Sequence, residues 1–144
     1  MKKVFLLLFV VVACGVVKKA PETRDPVNIT SLCDKVWTFS QTQPAGFTLD
    51  IRSMIPPGEG ISVAYATTQS SHSRDDLPAV VSHALSHSGY VGGWLDTTDS
   101  LYYFDSIRIF PPDSLAAAMD FGRANDQIAI FNLSTGAEIR LAIP

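Results

Sequence analysis

The sequence predicts an α+β domain: an antiparallel sheet with two helices packed on one of its faces. The composition supports a modest single core, because 47% of the 144 residues are hydrophobic and 17% are charged. One segment, 76–87, has a clear helical periodicity, and several short segments alternate between apolar and polar residues. From Ile61 onward the predicted order is β-α-β-β-α-β, which is the order of ferredoxin-like and related folds.

The elements before Ile61 are less sharply defined. Residues 46–52 alternate apolar and polar side chains and predict a strand. Residues 29–40 place Ile29, Leu32 and Val36 on one helical face, although the β-branched and aromatic content of 36–39 also suits a strand. We favour a short helix over 29–40.

The strongest helix spans residues 76–87. Its apolar residues recur at i, i+3, i+4, i+7 and i+8, and Gly89 follows as a stop signal. The residues of this stripe are Leu77, Val80, Val81, Ala84 and Leu85. A buried helix face is therefore expected here.

A hairpin and a second helix follow. Two strands, 90–95 and 101–110, flank a short polar loop and predict a hairpin. A helix begins near Pro111–Ser114 and ends near Asn125, and its inner face is expected to consist of Leu115, Ala118, Met119 and Gly122. The last two predicted strands are 127–132 and 138–142.

The N-terminus predicts export. Lys2 and Lys3 precede an unbroken apolar run over 4–13. This run is about half of the roughly 20 residues that a membrane-spanning helix needs, so it is typical of a signal peptide. The alternative is a buried N-terminal strand or helix.

Val11-Val12-Ala13-Cys14 resembles a bacterial lipobox, although Leu is more usual where Val11 stands. This resemblance implies a signal peptide over 1–13 and a lipidated Cys14. The polar stretch with two prolines that follows predicts a tether, so that 14–28 hold the lipidated cysteine and its tether and 29–144 form a single domain. The protein would then be held at the cell envelope by its acyl chains. Position 15 holds Gly and not the acidic residue that retains some lipoproteins at the inner membrane. This favours the outer membrane as the destination. The alternative is cleavage after Ala13 and a secreted or periplasmic protein.

The net charge and the cysteine content limit the kinds of partner that we expect for this protein. The formal net charge is −3 and no basic patch stands out, so nucleic acid is not an expected partner. We expect no cofactor, and as partners we expect the membrane through the lipid anchor and a protein or peptide. If Cys14 is lipidated, Cys33 is an unpaired thiol, and its apolar neighbours predict that it is buried.

The first candidate ligand site consists of Trp94, Asp96, Asn125 and Gln127, which we expect at one end of the sheet. An adjacent aromatic ring and polar groups would suit a peptide or small ligand. The alternative is structural: Gly92 and Gly93 make room for Trp94 to pack across the sheet, and Asn125 caps the second helix.

Three histidines supply the second candidate. His83 and His87 lie four residues apart on the 76–87 helix, so both could face one metal ion, with His72 completing the set. The helical angles place both on or beside the solvent face, so a solvated surface is the favoured interpretation. They are weak metal candidates, and no catalytic residue is predicted, because no serine lies in a nucleophile-elbow motif.

A family resemblance extends over residues 46–139. It is carried in order by Gly46-Phe47-Thr48, by Gly89 to Trp94 with Asp96, by Tyr102-Tyr103-Phe104-Asp105 and by Gly122 to Leu133. Together these resemble a small α+β domain of phage and mobile-element polyproteins and of some bacterial secreted proteins, for which no biochemical role is established. Asn132 departs from that pattern, in which aspartate is more usual. The resemblance implies a fold rather than an activity.

These observations favour a lipid-anchored, non-catalytic binding or interaction module. Two alternatives stay open. One is an immunity or inhibitor protein that intercepts a partner at the envelope, and the other is a small hydrolase or toxin-like enzyme that uses His72, His83 and His87.

Overall fold

The computed structural model describes residues 27–142 as an α+β domain with one antiparallel sheet. The predicted signal peptide, the predicted lipidation site Cys14 and most of the predicted tether lie outside the described residues. Within the described part, no helix is both long and apolar enough to cross a membrane. The elements are α1 (Ile29–Ser40), β1 (Gly46–Asp50), β2 (Ile61–Ala64), α2 (Leu77–Ser86), β3 (Tyr90–Asp96), β4 (Leu101–Phe110), α3 (Leu115–Ala124), β5 (Ala129–Asn132) and β6 (Ala137–Arg140).

The helices number three in this part of the chain, not the two of the predicted fold class, because residues 29–40 are helical as well. Asn28 caps α1 by accepting a hydrogen bond from the Ser31 backbone N–H at 3.0 Å. Cys33 and Val36 are buried on its inner face. The free thiol of Cys33 is therefore in the core, as its apolar neighbours predicted.

The six strands lie in the order β1-β3-β4-β2-β5-β6, and every neighbouring pair is antiparallel. The predicted hairpin is present as β3 and β4, with Trp94 opposite Tyr103 and Gly92 opposite Asp105. This register decides which side chains of the two strands share a face, since successive residues of a strand point to opposite faces.

The helices pack on one face of the sheet. The predicted stripe of α2 is confirmed, because Leu77, Val80, Val81 and Ala84 are fully buried. They form one core with α1 and with strand residues such as Phe104. A second core lies under α3, where Gly122 passes so close to the sheet that a Cβ atom would be 2.6 Å from Leu141 Cδ1. Glycine at this position permits the close approach of α3.

The opposite face is concave. Thr48 of β1 and Ser62 of β2 are separated by two strands, a distance of about 14 Å in a flat sheet. Their hydroxyl oxygens are nevertheless 3.2 Å apart. The sheet therefore curls around the side that the helices leave uncovered. This concave face buries side chains of its own, including Ser62, Asp105 and Ile107.

The glycines of β3 do not make room for Trp94, which was the structural alternative considered for Gly92 and Gly93. A Cβ atom at Gly92 would lie 2.9 Å from the Ile107 side chain, and one at Gly93 would lie 2.4 Å from Phe47. The two glycines therefore admit side chains of neighbouring strands, one on each face of the sheet.

Candidate ligand-binding site

Two aromatic rings stack on the concave face, near the turn of the hairpin. Trp94 of β3 and Tyr103 of β4 are cross-strand partners, and their ring centroids are 5.2 Å apart with planes inclined by 22°. Trp94 remains 40% exposed. An exposed, rigid aromatic surface of this kind binds ligands by stacking at little conformational cost. Its partner Tyr103 fixes its orientation.

A buried carboxyl group lies beside this pair. Asp105 follows Tyr103 by two residues on β4, so both side chains belong to the same face, and Asp105 is only 6% exposed. Among the described residues, its Oδ1 atom has no hydrogen-bond partner. Burial raises the pKa of the Asp105 carboxyl to about 7. The hydrogen-bonding side chain of Trp94 opposes part of this rise. A carboxyl group that is buried and incompletely bonded is a recognised mark of functional sites.

His72 borders the aromatic pair from the loop before α2. The loop is held beside β4 because the Phe104 N–H donates to the Ser71 carbonyl at 2.8 Å. The His72 N–H in turn donates to Asp76 Oδ2 at 2.9 Å. The imidazole stands edge-on to Tyr103, at a centroid distance of 4.2 Å. Its Nδ1 atom is buried and has no partner in the described part of the chain.

Carboxylates of the hairpin turn lie near Tyr103. Tyr103 donates its hydroxyl proton to Asp99 Oδ2 at 2.5 Å. This bond holds the pKa of Asp99 below its usual value and raises the pKa of Tyr103 to about 12, with further contributions from the charges of Asp99, Asp96 and Asp105. Asp96 Oδ1 accepts from the Thr98 N–H and hydroxyl. We call the set Trp94, Tyr103 and Asp105, with His72 and Asp99 at its rim, the aromatic–carboxylate site.

The other predicted ligand residues, Asn125 and Gln127, make hydrogen bonds in and beside a neighbouring loop. Asn125 ends α3, and its Oδ1 atom accepts a hydrogen bond from the Ala66 N–H at 3.0 Å. Gln127 donates to the Asn125 carbonyl at 2.9 Å. No hydrogen bond among residues 27–142 joins Asn125 or Gln127 to Trp94 or Asp96.

His83 lies beside the solvent face rather than on it, and it turns toward the sheet. It is half-buried, and its Nδ1 atom is 2.7 Å from Ser106 Oγ on β4. Burial is the main cause that lowers the pKa of His83, and the charge of His87 adds to it. The small Ser106 side chain leaves space for the imidazole and offers it a polar partner. His87 is exposed and stacks on His83 at 4.0 Å.

The three histidines do not converge. His83 and His87 lie on the helix side of β4, whereas His72 contacts Tyr103 on the concave side. No group of three histidine, cysteine or acidic side chains in residues 27–142 is arranged to hold a metal ion. Ser106 is fully buried beneath His83, so a substrate carbonyl could not reach its hydroxyl. Burial also raises the pKa of the Cys33 thiol, which disfavours the nucleophilic thiolate.

Sequence reasoning missed Asp105, Tyr103 and His72 as members of one site. The signal for two of them was available. Once the hairpin is placed, strand alternation puts Tyr103 and Asp105 on one face, and an acidic residue inside an otherwise apolar strand is unusual. His72 carries no such signal, because only the path of the loop along β4 brings it to Tyr103.

Comparisons with protein-family models, with curated proteins and with solved structures found no match for this chain. The class of the molecule is therefore defined by its fold and its site: an α+β domain with a curled antiparallel sheet and an aromatic–carboxylate site on the concave face.

Proposed function

We propose that this protein is an exported, lipid-anchored, non-catalytic binding module whose ligand binds at the aromatic–carboxylate site. One observation carries the proposal: an exposed aromatic pair stands beside a buried carboxyl group whose Oδ1 atom has no partner among the described residues. A ligand that donates a hydrogen bond to this buried acceptor would complete its bonding. An exposed hydroxyl and imidazole do pair at 3.1 Å, in Ser86 and His87, but they lie on the helix side of the sheet. The aromatic–carboxylate site itself contains no serine, threonine or cysteine, which favours binding over catalysis at this site.

The anchor is the second part of the proposal. The sequence Val11 to Cys14 supports lipid attachment at Cys14, with the domain displayed from the cell envelope, in particular the outer membrane, on the tether over 14–28. The mass of the intact protein from a bacterial host tests this directly. We expect an N-terminus at Cys14 with added acyl mass, and the loss of both in Cys14→Ala. An unmodified chain would instead indicate a secreted or periplasmic protein.

Site-specific photo-cross-linking in cells of the producing bacterium tests the binding function. Leu101 is 43% exposed and shares the concave face with Tyr103, so a photoreactive phenylalanine at position 101 reports on the site. Leu115, which we expected on the inner face of α3, is instead 41% exposed at the start of that helix and is the matched control. We expect a discrete adduct from position 101 that Trp94→Ala abolishes, and none of that mass from position 115.

The outcome that contradicts the function is equally specific. Adducts that are the same from positions 101 and 115, or that persist in Trp94→Ala, would mean that the aromatic pair does not form a binding site. Circular dichroism of Trp94→Ala excludes loss of the fold as the cause, since Trp94 is 40% exposed and contributes little to the core.

We also propose that β2 to β5, with α2 and α3, form a ferredoxin-like unit that β1 and β6 extend at its two edges. The strand order β3-β4-β2-β5 and the packing of both helices on one face support this assignment. We likewise propose that residues 46–139 share the fold of a domain found in phage and mobile-element polyproteins, without implying a shared activity.

A further inference from the structure

We infer that the aromatic–carboxylate site binds a guanidinium group, supplied by an arginine side chain of a partner polypeptide. This inference rests on the proposed binding function and specifies its ligand. It follows from three features of the site: the aromatic surface, the balance of charges around it and the bonding state of Asp105.

The aromatic surface favours a flat cation. Trp94 and Tyr103 stack with their planes inclined by 22°, and Trp94 is 40% exposed, so one face of a rigid π-system is open to a ligand. Indole is the ring that attracts cations most strongly, and a planar guanidinium stacks on it more fully than a compact ammonium does.

The charges around this surface are negative. Asp96, Asp99 and Asp105 all act on the Tyr103 hydroxyl. The ion pairs of residues 27–142 leave these three carboxylates out, since they join Arg74 to Asp34, Arg123 to Asp120 and Arg140 to Glu138. A cationic ligand is attracted to this uncompensated charge, and an anionic ligand is repelled.

The unpartnered oxygen of Asp105 favours a planar cation with several N–H donors. The Asp105 Oδ1 atom is buried and has no partner in the described part of the chain, and the Trp94 side chain is near enough to the same carboxyl group to act on its pKa. A guanidinium carries several N–H donors in a rigid fork that matches a carboxylate. It can donate to Oδ1 and to the second carboxylate oxygen at the same time. A neutral sugar can stack on Trp94 but leaves the charge of Asp105 uncompensated.

Titration of the purified protein with small probes tests the inference. The probe is N-acetyl-arginine N-methylamide, compared with the lysine analogue, the uncharged citrulline analogue and a chito-oligosaccharide. Binding is followed by calorimetry and by Trp94 fluorescence in a Trp37→Phe background. We expect the arginine probe to bind at least tenfold more tightly than the lysine and citrulline probes, and Asp105→Asn to weaken it at least tenfold. Asp113→Asn, which removes the same charge from an exposed residue just before α3, is expected to have no effect.

The pH dependence gives a second readout. Affinity for the arginine probe is expected to rise between pH 5.5 and 8.5, because the Asp105 carboxyl loses its proton in this range, and the rise should vanish in Asp105→Asn. That variant separates Asp105 from the other ionisable groups of the concave face and its rim. In the described residues these are Asp50, His72, Tyr90, Asp96, Asp99 and Tyr103, with Glu138 and Arg140 on β6.

Equal binding of the citrulline or lysine probe would overturn the inference, and so would binding of the oligosaccharide in place of arginine. Absence of binding by every probe would overturn it as well. In each of these cases the proposed binding function is judged separately, by whether the cross-link from position 101 depends on Trp94. Only loss of that dependence would remove both proposals.

Discussion

The hydroxyl oxygens of Thr48 and Ser62 are 3.2 Å apart, although two strands of the sheet lie between their own strands. This contact requires the sheet to curl around the face that no helix covers. As a consequence, β4 is buried on both sides at its centre, with Ser106 facing the helices and Asp105 facing the concave side. The curl is what gives an aspartate in an uncovered sheet face a buried environment.

A double-mutant cycle of Thr48→Val and Ser62→Ala measures this contact. We expect a coupling free energy of about 0.5–1.5 kcal/mol, the usual contribution of one hydrogen bond between uncharged groups. The quantity to compare is the free energy of unfolding in urea for the four proteins. Strictly additive effects would show that β1 and β2 do not meet across the concave face.

Gly93→Ala tests the close packing inside the hairpin. A Cβ atom at Gly93 would lie 2.4 Å from the Phe47 ring and 2.8 Å from the Tyr102 ring. We expect a loss of about 1–3 kcal/mol in the free energy of unfolding, as for other overpacked core sites. The control is Gly58→Ala, where an added Cβ meets nothing within 4 Å. Equal effects of the two substitutions on thermal unfolding would contradict the packing described for β3.

Asp105→Asn is expected to stabilise the protein in a pH-dependent way. The folded-state pKa of about 7 lies above the ordinary value of 3.8, so the folded protein holds the proton more tightly than the unfolded chain. Asp105 therefore lowers stability progressively as pH rises from about 4 to 7, and the full penalty is present above pH 7.

At pH 8 the variant should gain on the order of 2–4 kcal/mol in the free energy of unfolding, relative to its difference from wild type at pH 4. Denaturant unfolding at both values of pH measures this gain. A difference between variant and wild type that does not change with pH would mean that the carboxyl group is well solvated in the folded protein.

Ser106→Ala tests the hydrogen bonds beneath α2. The Ser106 hydroxyl lies 2.7 Å from His83 Nδ1 and 3.2 Å from the Thr68 hydroxyl, in a fully buried position. Its removal leaves buried polar atoms without a partner, and we expect a loss of about 1–3 kcal/mol. Ser86→Ala is the control, because this exposed hydroxyl bonds only to the His83 carbonyl and the His87 ring. A loss no larger than that of the control would contradict the role given to Ser106.

Much of the fold could be predicted from local patterns. The apolar spacing of α2 located its buried face, and the polar loop between β3 and β4 located the hairpin. Contacts between residues distant in sequence could not be predicted in this way. His83 turns inward because of a serine 23 residues later, and Gly93 is required by Phe47 of another strand. The curl of the sheet, on which the burial of Asp105 depends, is likewise a property of several strands together.

The candidate site was predictable only in part. Trp94 was identified from its own sequence neighbourhood, and it belongs to the aromatic–carboxylate site together with residues from β4 and from the loop before α2. Asn125 and Gln127 were grouped with it because we expected them at one end of the sheet. Their hydrogen bonds, however, are made to each other, to α3 and to the loop at 66–69. Proximity along the sheet edge does not specify the direction of a side chain.

The pKa of the Asp105 carboxyl group, measured by carbon-13 NMR titration of the purified protein, tests the central claim most directly. The signal is assigned by its loss in Asp105→Asn. The described structure predicts a midpoint near pH 7, because the concave face buries this carboxyl group beside Trp94. A midpoint below about 4.5, in the ordinary range of a solvated aspartate, would contradict the enclosed site and the function built on it.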